Sequence, residues 1–417
     1  MSATRPRGSR ATGSTGPPGC DTSSIATARL LWEACRRVPD PAAVRGALAG
    51  ADLSWAAAAA QQHRIAALLW RALGRAGVAD AQAEAQRPLA EYSEVLRAEA
   101  LLLHPRAVSV AVGPLVDAGL EPVVMKGPAV AARYPTPGLR PMEDIDLLLP
   151  RRQHRDALAA LTAAGWEIVR SAGRDRYDTV LRHAEVPWLA LELHYAFEAP
   201  FERVTALDPD RIWARRIPID CLGTPAFGLA PPDEVVFLAV HAGKPFHGFE
   251  RLMWIADLAM VVGAAEAEGR PLSWERVRRV ADEGHCRTRV SAALALARNA
   301  GVEAPPELFG LPAAGWRGEA LAALVDPEWP LRLEEISTFH LRYALTDSRR
   351  RRATLVAGIG HGLSSAERVQ WWSTLPWLAA RRWVGLRSRN RVVPEGPRSR
   401  QGTSGASPRA ARERMIA

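Results

Sequence analysis

Cysteine is scarce in this chain. Cys20, Cys35, Cys221 and Cys286 are the only four in 417 residues, and they form neither a CxxC step nor a Cys/His spacing suited to a metal. That pattern argues against a structural zinc site and suits a reducing compartment. Also missing is any uncharged run of about 20 apolar residues, the length a bilayer-spanning helix needs, so no membrane insertion is expected. Residues 1–24 show no basic start followed by an apolar run and a cleavage site. Ser, Thr, Gly and Pro fill them instead, which reads as a disordered leader. Cytoplasm is the expected location. Three catalytic signatures are absent as well: no G-x-x-x-x-G-K-[ST] loop, no G-x-S-x-G elbow and no H-E-x-x-H helix occur. There is no internal repeat, no heptad seam, and no strand face on which arginines alternate with aromatics as in RNA-binding modules.

What is present is ordinary in bulk. Apolar residues make up 48% and charged residues 24%, and the length allows two or three packed units. The net charge of +9 is unevenly placed. Between Arg381 and Ala417, ten arginines face only Glu395 and Glu413, and Arg5, Arg7 and Arg10 add to the leader. The remainder is close to neutral, so a basic globular face is not required. The tail reads as solvated and disordered, although contact with RNA, DNA or an anionic membrane stays open.

The pattern changes twice along the chain. Ala-rich helical periodicity covers about 25–118, including one long helix over 53–73 and another over 88–103. Short apolar runs at 122–125, 144–149, 166–169, 180–183 and 187–195 then read as strands, with helices at 129–134 and 151–164. Helical patterning returns from Pro232, with further helices expected at 315–324, 331–345 and 364–380. The expected class is α+β. A small mixed sheet of about four or five strands (119–230) lies between an N-terminal helical region (25–118) and a C-terminal helical domain (231–385), before a basic tail (386–417).

The chemistry concentrates between Met125 and Pro150, MKGPAVAARYPTPGLRPMEDIDLLLP. Alternation along a strand sends Asp144 and Asp146 to one face and Ile145 to the other. Two close carboxylates repel, and a divalent cation is the usual compensation; the alternative is a strand end facing water. In Trp188–Tyr195, Glu192 and His194 share a face opposite Leu191 and Leu193. A carboxylate there needs a partner. Beside Asp144–Leu149 it completes a three-carboxylate cluster able to hold two Mg²⁺ ions; otherwise it pairs with His194 or an arginine. Lys126 and Gly127 follow the first strand, where a lysine charge and free helix N–H groups suit phosphate, or where they form an ordinary solvated turn. Arg140 is either a phosphate ligand or a neutraliser of the acidic cluster. Further on, His241, Lys244, His247, Arg251, Trp254 and Asp257 make either a phosphate- and base-holding face or a packing seam. His63 reads as a satisfied histidine.

As a set, Met125-Lys126-Gly127, Arg140-Pro-Met-Glu-Asp144-Ile-Asp146 and Leu191-Glu192-Leu193-His194 resemble a poorly characterised bacterial nucleotidyltransferase-like family of the polymerase-beta-type superfamily. The resemblance implies a mixed-sheet catalytic core wrapped by helices, with two Mg²⁺ ions on Asp144, Asp146 and Glu192. It further implies an NTP co-substrate, ATP foremost, near Lys126, Gly127, Arg140, His194, His247 and Arg251. Transfer of a nucleoside monophosphate to a small metabolite or peptide, with release of pyrophosphate, is the implied reaction. The alternative is a degenerate nucleotide- or peptide-binding protein on the same scaffold. One departure motivates it. Where the superfamily follows its first strand with glycine and then serine or a second glycine, this chain has Gly127-Pro128, and Pro128 offers neither hydroxyl nor N–H.

Overall fold

Alanine-rich stretches punctuated by proline and aspartate give the first six helices: α1 (Thr22–Cys35), α2 (Pro41–Leu48), α3 (Leu53–Gln62), α4 (Ala66–Arg75), α5 (Arg87–Leu102) and α6 (His104–Asp117). Asp40 and Asp52 start α2 and α3 by accepting from the N–H groups of Ala42 and Trp55, the side-chain capping that helix N-termini require. The computed structural model describes residues 22–173, 176–198, 205–244, 247–312, 315–331, 344–348 and Arg352. The basic tail, the helix expected at 364–380, most of that at 331–345 and nearly all of the leader lie outside the described residues.

The single helix expected over 53–73 is two. Arg64 takes a left-handed φ of 61° between α3 and α4, a conformation that breaks helical continuity. The turn is held from far away. His63, 2% exposed, accepts the Leu252 N–H at Nδ1, and its Nε2 lies 2.6 Å from the Pro330 carbonyl. It is a satisfied buried histidine, as expected.

The sheet follows: β1 (Val123–Val124), α7 (Pro128–Ala131), β2 (Asp144–Leu148), α8 (His154–Ala163), β3 (Trp166–Arg170), β4 (Asp178–His183), β5 (Ala190–His194), α9 (Pro209–Ala214), β6 (Ile217–Cys221) and β7 (Thr224–Gly228). Its order is β3-β4-β5-β2-β1-β7-β6, seven strands rather than four or five. Pairing is mixed, with β2–β5 and β1–β7 parallel and the other neighbours antiparallel. The α+β class is as expected; the β6–β7 hairpin is the addition. Pro218 and Pro225 hid it, because proline argues against an interior strand. Pro218 sits on the sheet edge, and Pro225 lies outside the Phe227–Gly228 stretch that pairs with β1. Leu222 and Gly223, both at positive φ, make the tight turn.

One face of the sheet is apolar. Ile145, Leu147, Leu181, Leu191 and Leu193 pack with Val108, Ala111 and Leu115 of α6 and Ala157 and Leu161 of α8. Each such side chain contributes roughly 1.5–3 kcal/mol on burial. A one-residue slip of β2 would send Ile145 and Leu147 outward and both aspartates into that core. The hydrophobic face therefore fixes where the acids point. By length and mean hydropathy the Arg87–Asp117 stretch would pass for a membrane span. Here α5 and α6 meet at Leu103, and the Ala107, Val108, Ala111, Val112 and Leu115 stripe of α6 is buried in protein.

Opposite lie α10 (Pro231–Ala242), α11 (Leu252–Ala267), α12 (Trp274–Glu283), α13 (Arg287–Asn299) and α14 (Gly315–Leu324). α10 packs on α11, α12 and α13, and α11 also meets α1 and α7. Leu252–Val262 of α11 is buried on every side, as a helix apolar all round must be.

Glu234 of α10 is 3% exposed, with Arg133 at 3.8 Å. Burial raises its pKa from 4.5 to about 7, opposed by Arg133 and reinforced by Asp257. The fold thus favours the protonated acid. That contribution is complete below pH 4.5 and is lost as pH rises through about 7. Glu234→Gln is expected to match the parent at pH 4 and to exceed it at pH 8 by up to about 3 kcal/mol, read by urea unfolding at the two pH values.

Candidate active site

In the parallel pair β2–β5, Asp144 lies opposite Ala190, Asp146 opposite Glu192 and Leu148 opposite His194. Directly paired residues on one face stand close enough to interact. His194 Nε2 lies 3.0 Å from Asp146 Oδ1 and 3.3 Å from Glu192 Oε2. One donor atom each from Asp146, Glu192 and His194 falls within 4.8 Å of the others. Lys126 enters from the end of β1, its Nζ 3.3 Å from Asp144 Oδ2 and 3.2 Å from Asp146 Oδ2. Met125 N–H donates to the Asp146 carbonyl at 3.1 Å, locking this corner to β2.

Gly127 is there for space. Its φ is 60°, and a Cβ would stand 2.8 Å from the Asp144 carbonyl oxygen. Only glycine lets the chain after Lys126 lie against the aspartate strand.

Charge balance holds the cluster together. Burial works against the Lys126 ammonium, but Asp144, Asp146 and Glu192 together raise its pKa above the ordinary lysine value. Burial likewise opposes charge on His194, yet its hydrogen bonds to Asp146 and Glu192 lift it to about 9. Glu192 is held below its ordinary value despite burial, by the hydrogen bond and charge of His194 and by Lys126. Asp146 is 1% exposed, and its Oδ2 meets the Lys126 ammonium at 3.2 Å with no other hydrogen-bond donor against it. Two carboxylates beside an imidazole are a donor set that fits a divalent cation, which would displace the Lys126 ammonium from Asp146 and the extra proton from His194.

A family described as an uncharacterised nucleotidyltransferase matches residues 49–300. The chain belongs to it. No curated protein and no solved structure matches. The matched span carries the whole sheet, the acidic cluster and the α10–α13 helices, and membership is consistent with a polymerase-beta-type nucleotidyltransferase core.

Within this nucleotidyltransferase fold the expected residues divide. Asp144, Asp146, Glu192 and Lys126 converge. Asp144 is joined through Lys126 rather than through the tighter Asp146–Glu192–His194 group. His194, expected toward nucleotide, stands among the candidate cation ligands and is also the partner of Glu192. The helix after Gly127 is a single turn with Pro128 at its start, so it offers no row of amides for phosphate.

Arg140 is a correction. Its guanidinium pairs with Asp257 rather than with the acidic cluster, although Asp144 still acts on its charge. Its Nε and Nη2 donate to Asp257 Oδ1 and Oδ2 at 2.8 and 2.9 Å, with Tyr134 donating to Oδ1 at 2.7 Å. Both charges are buried, at 6% and 1% exposure. His247 and Arg251 likewise sit in the packing seam. The His247 ring stacks on Trp254 at 4.5 Å and Arg251 lies over the same indole at 5.7 Å. Burial lowers His247 to about 4, so it is neutral near pH 7 and brings no charge to a phosphate.

Tyr177 escaped sequence reasoning as a site member, whereas Lys244 falls in the run expected to form either a phosphate-holding face or a packing seam. Lys244 Nζ donates to Tyr177 Oη at 3.4 Å, and the Tyr177 ring lies 5.5 Å from that of His194. The His241–Asp257 run drew notice to Lys244 as one residue among several. Nothing in the polar 171–178 segment marked Tyr177.

Asp257→Ala would leave the Arg140 guanidinium buried without its counter-charge. A stability loss of about 3–5 kcal/mol is expected, measured by urea unfolding, whereas a phosphate-binding Arg140 would have shown itself in nucleotide affinity instead.

Proposed function

We propose that this protein is a divalent-metal-dependent nucleotidyltransferase. It moves a nucleoside monophosphate from NTP, ATP foremost, to a hydroxyl or phosphate on a small metabolite or peptide. The acceptor oxygen attacks the α-phosphorus, the α–β P–O bond breaks, pyrophosphate leaves and the acceptor proton passes to a base. One observation carries the reading: Asp146 and Glu192 pair directly across β2 and β5, with His194 beside them and Asp144 on the same face.

Asp144, Asp146 and Glu192 would hold the metal, with two Mg²⁺ as the expected number, and His194 would join them on giving up the proton it shares with the acids. Bound there, divalent ions supply Lewis-acid stabilisation of phosphoryl charge and acidify the acceptor hydroxyl. Glu192 is the residue placed to receive the acceptor proton. Lys126, already between Asp144 and Asp146, supplies a point charge to the nucleotide phosphates. The rigid sheet contributes positioning, the larger part of catalysis in such transfers. A cytoplasmic setting and a role in natural-product biosynthesis belong to the same proposal.

Pro128 at the start of a one-turn α7 favours a second reading. There the scaffold binds nucleotide or peptide without turnover.

Purified protein with Mg²⁺, each labelled NTP and a broad acceptor set is expected to release pyrophosphate. Asp146→Asn removes several kcal/mol of charge stabilisation, so a loss of about 10²-fold or more is expected, with parallel loss of Mn²⁺ binding by electron paramagnetic resonance. Nucleotide binding without any product would establish the second reading. An NDP product in place of pyrophosphate would mean γ-phosphate transfer and overturn the first.

A further inference from the structure

Two lysines face the acidic cluster, and the protein treats them differently. Lys126 is neutralised by Asp144 and Asp146 at ion-pair distance. Lys244, partly buried after the last turn of α10, has no carboxylate within ion-pair distance among the described residues. Its neighbours are the Tyr177 hydroxyl at 3.4 Å and the Tyr177 ring, 5.3 Å to the centroid. A desolvated cation without a counter-charge is costly to keep. Burial above all, and then the Lys126 charge, lowers its pKa to about 8, while Glu198, Asp146 and Glu192 pull it upward.

The backbone holds this lysine in place. Its N–H donates to the His241 carbonyl at 3.2 Å, and its own carbonyl accepts from His247 and Gly248 at 3.1 and 3.2 Å. The turn is laid over a buried Arg289–Glu198 pair at 3.0 Å, and a Cβ at Gly243 would stand 2.6 Å from Arg289 Cγ. From Lys244 a stack runs through the Tyr177 ring to His194, whose centroid is 5.5 Å from that ring. A phosphate at the carboxylates and one at Lys244 are thus separated by an aromatic ring. A polyphosphate chain presents an anionic group to each of two such positions.

We propose that Lys244 and Tyr177 Oη form an anion subsite for the terminal phosphates of the nucleotide, the part that departs as pyrophosphate. The assignment of that anion rests on the nucleotidyltransferase reading above; the subsite itself rests on a lysine whose backbone is held and which has no carboxylate at ion-pair distance among the described residues. Incoming phosphate supplies a counter-charge that no described residue places at ion-pair distance from Lys244, and Tyr177 Oη hydrogen-bonds to it beside the lysine.

The test is calorimetric titration of inorganic tripolyphosphate, and separately of a non-hydrolysable ATP analogue with Mg²⁺. The proteins are the full-length parent, Lys244→Met, Lys244→Arg and Tyr177→Phe, with Mn²⁺ affinity measured alongside. Lys244→Met is expected to weaken tripolyphosphate by about tenfold or more, the size of a lost charge-assisted hydrogen bond. Lys244→Arg retains binding within about threefold, Tyr177→Phe loses less than Lys244→Met, and Mn²⁺ affinity stays the same in all. Removing a partly buried charge that has no ion-pair partner among the described residues should also leave the thermal midpoint of Lys244→Met equal to or above that of the parent. A merely structural lysine would lower it. Unchanged tripolyphosphate affinity in Lys244→Met overturns the subsite and leaves the transferase reading standing. Lys244-dependent tripolyphosphate binding with no binding of the ATP analogue keeps the subsite and overturns the nucleotide. A parent that binds neither anion overturns both.

Discussion

The in-register pairing of β2 with β5 is the constraint on which the site depends. It sets Asp146 directly opposite Glu192, a like-charge pair on adjacent strands that is unfavourable unless compensated. The protein compensates twice, with His194 from within β5 and Lys126 from the end of β1. Neither is an accident of surface chemistry, because the opposite face of both strands is fixed by Ile145, Leu147, Leu191 and Leu193 in the core. Hydrophobic burial thus provides the force that keeps the acids together, and the two cations make the arrangement tolerable. A divalent ion would enter a balance already set by these charges.

A second buried ion pair does related work at the site's margin. Arg140, a few residues before Asp144, is clamped by Asp257 in the middle of α11. Such a pair gives little net stability over an apolar substitute, while breaking it is expensive. Its effect here is geometric. It pins the loop leading into β2 to the helix that also meets α1 and α7. With His63 accepting the Leu252 N–H, helices from before and after the sheet are fastened around the same strand entry.

The central site was legible in the sequence because its signal is local. Alternation in Asp144-Ile145-Asp146 and in Leu191-Glu192-Leu193-His194 assigns faces without knowledge of the partner strand, and a small sheet leaves those strands few neighbours. The misses have long-range causes. Arg140 and Asp257 are 117 residues apart, so no periodicity links them. The β6–β7 hairpin was hidden by Pro218 and Pro225, whose cost vanishes only once the edge and the short β1 are known. Tyr177 acquires meaning only through Lys244, 67 positions later. Local alternation is written in neighbouring residues; charge compensation is written in tertiary packing.

The Gly127-Pro128 step shows how the site's chemistry follows from these geometric demands. Gly127 carries a positive φ so that the chain can press against the Asp144 carbonyl. The next residue opens a four-residue helix and, being proline, contributes no N–H. The cradle of backbone amides usual for phosphate at a helix start therefore lacks one donor at this corner. Positive charge comes instead from side chains on two separate elements, Lys126 after β1 and Lys244 after α10. Point charges on flexible stems bind phosphate with less directional demand than a fixed amide nest. Their placement then has to be supplied by the scaffold: Lys126 by its two aspartates, Lys244 by the locked turn over Arg289 and Glu198. On the proposed anion subsite, the buried Arg289–Glu198 pair would serve by fixing the turn from which Lys244 extends.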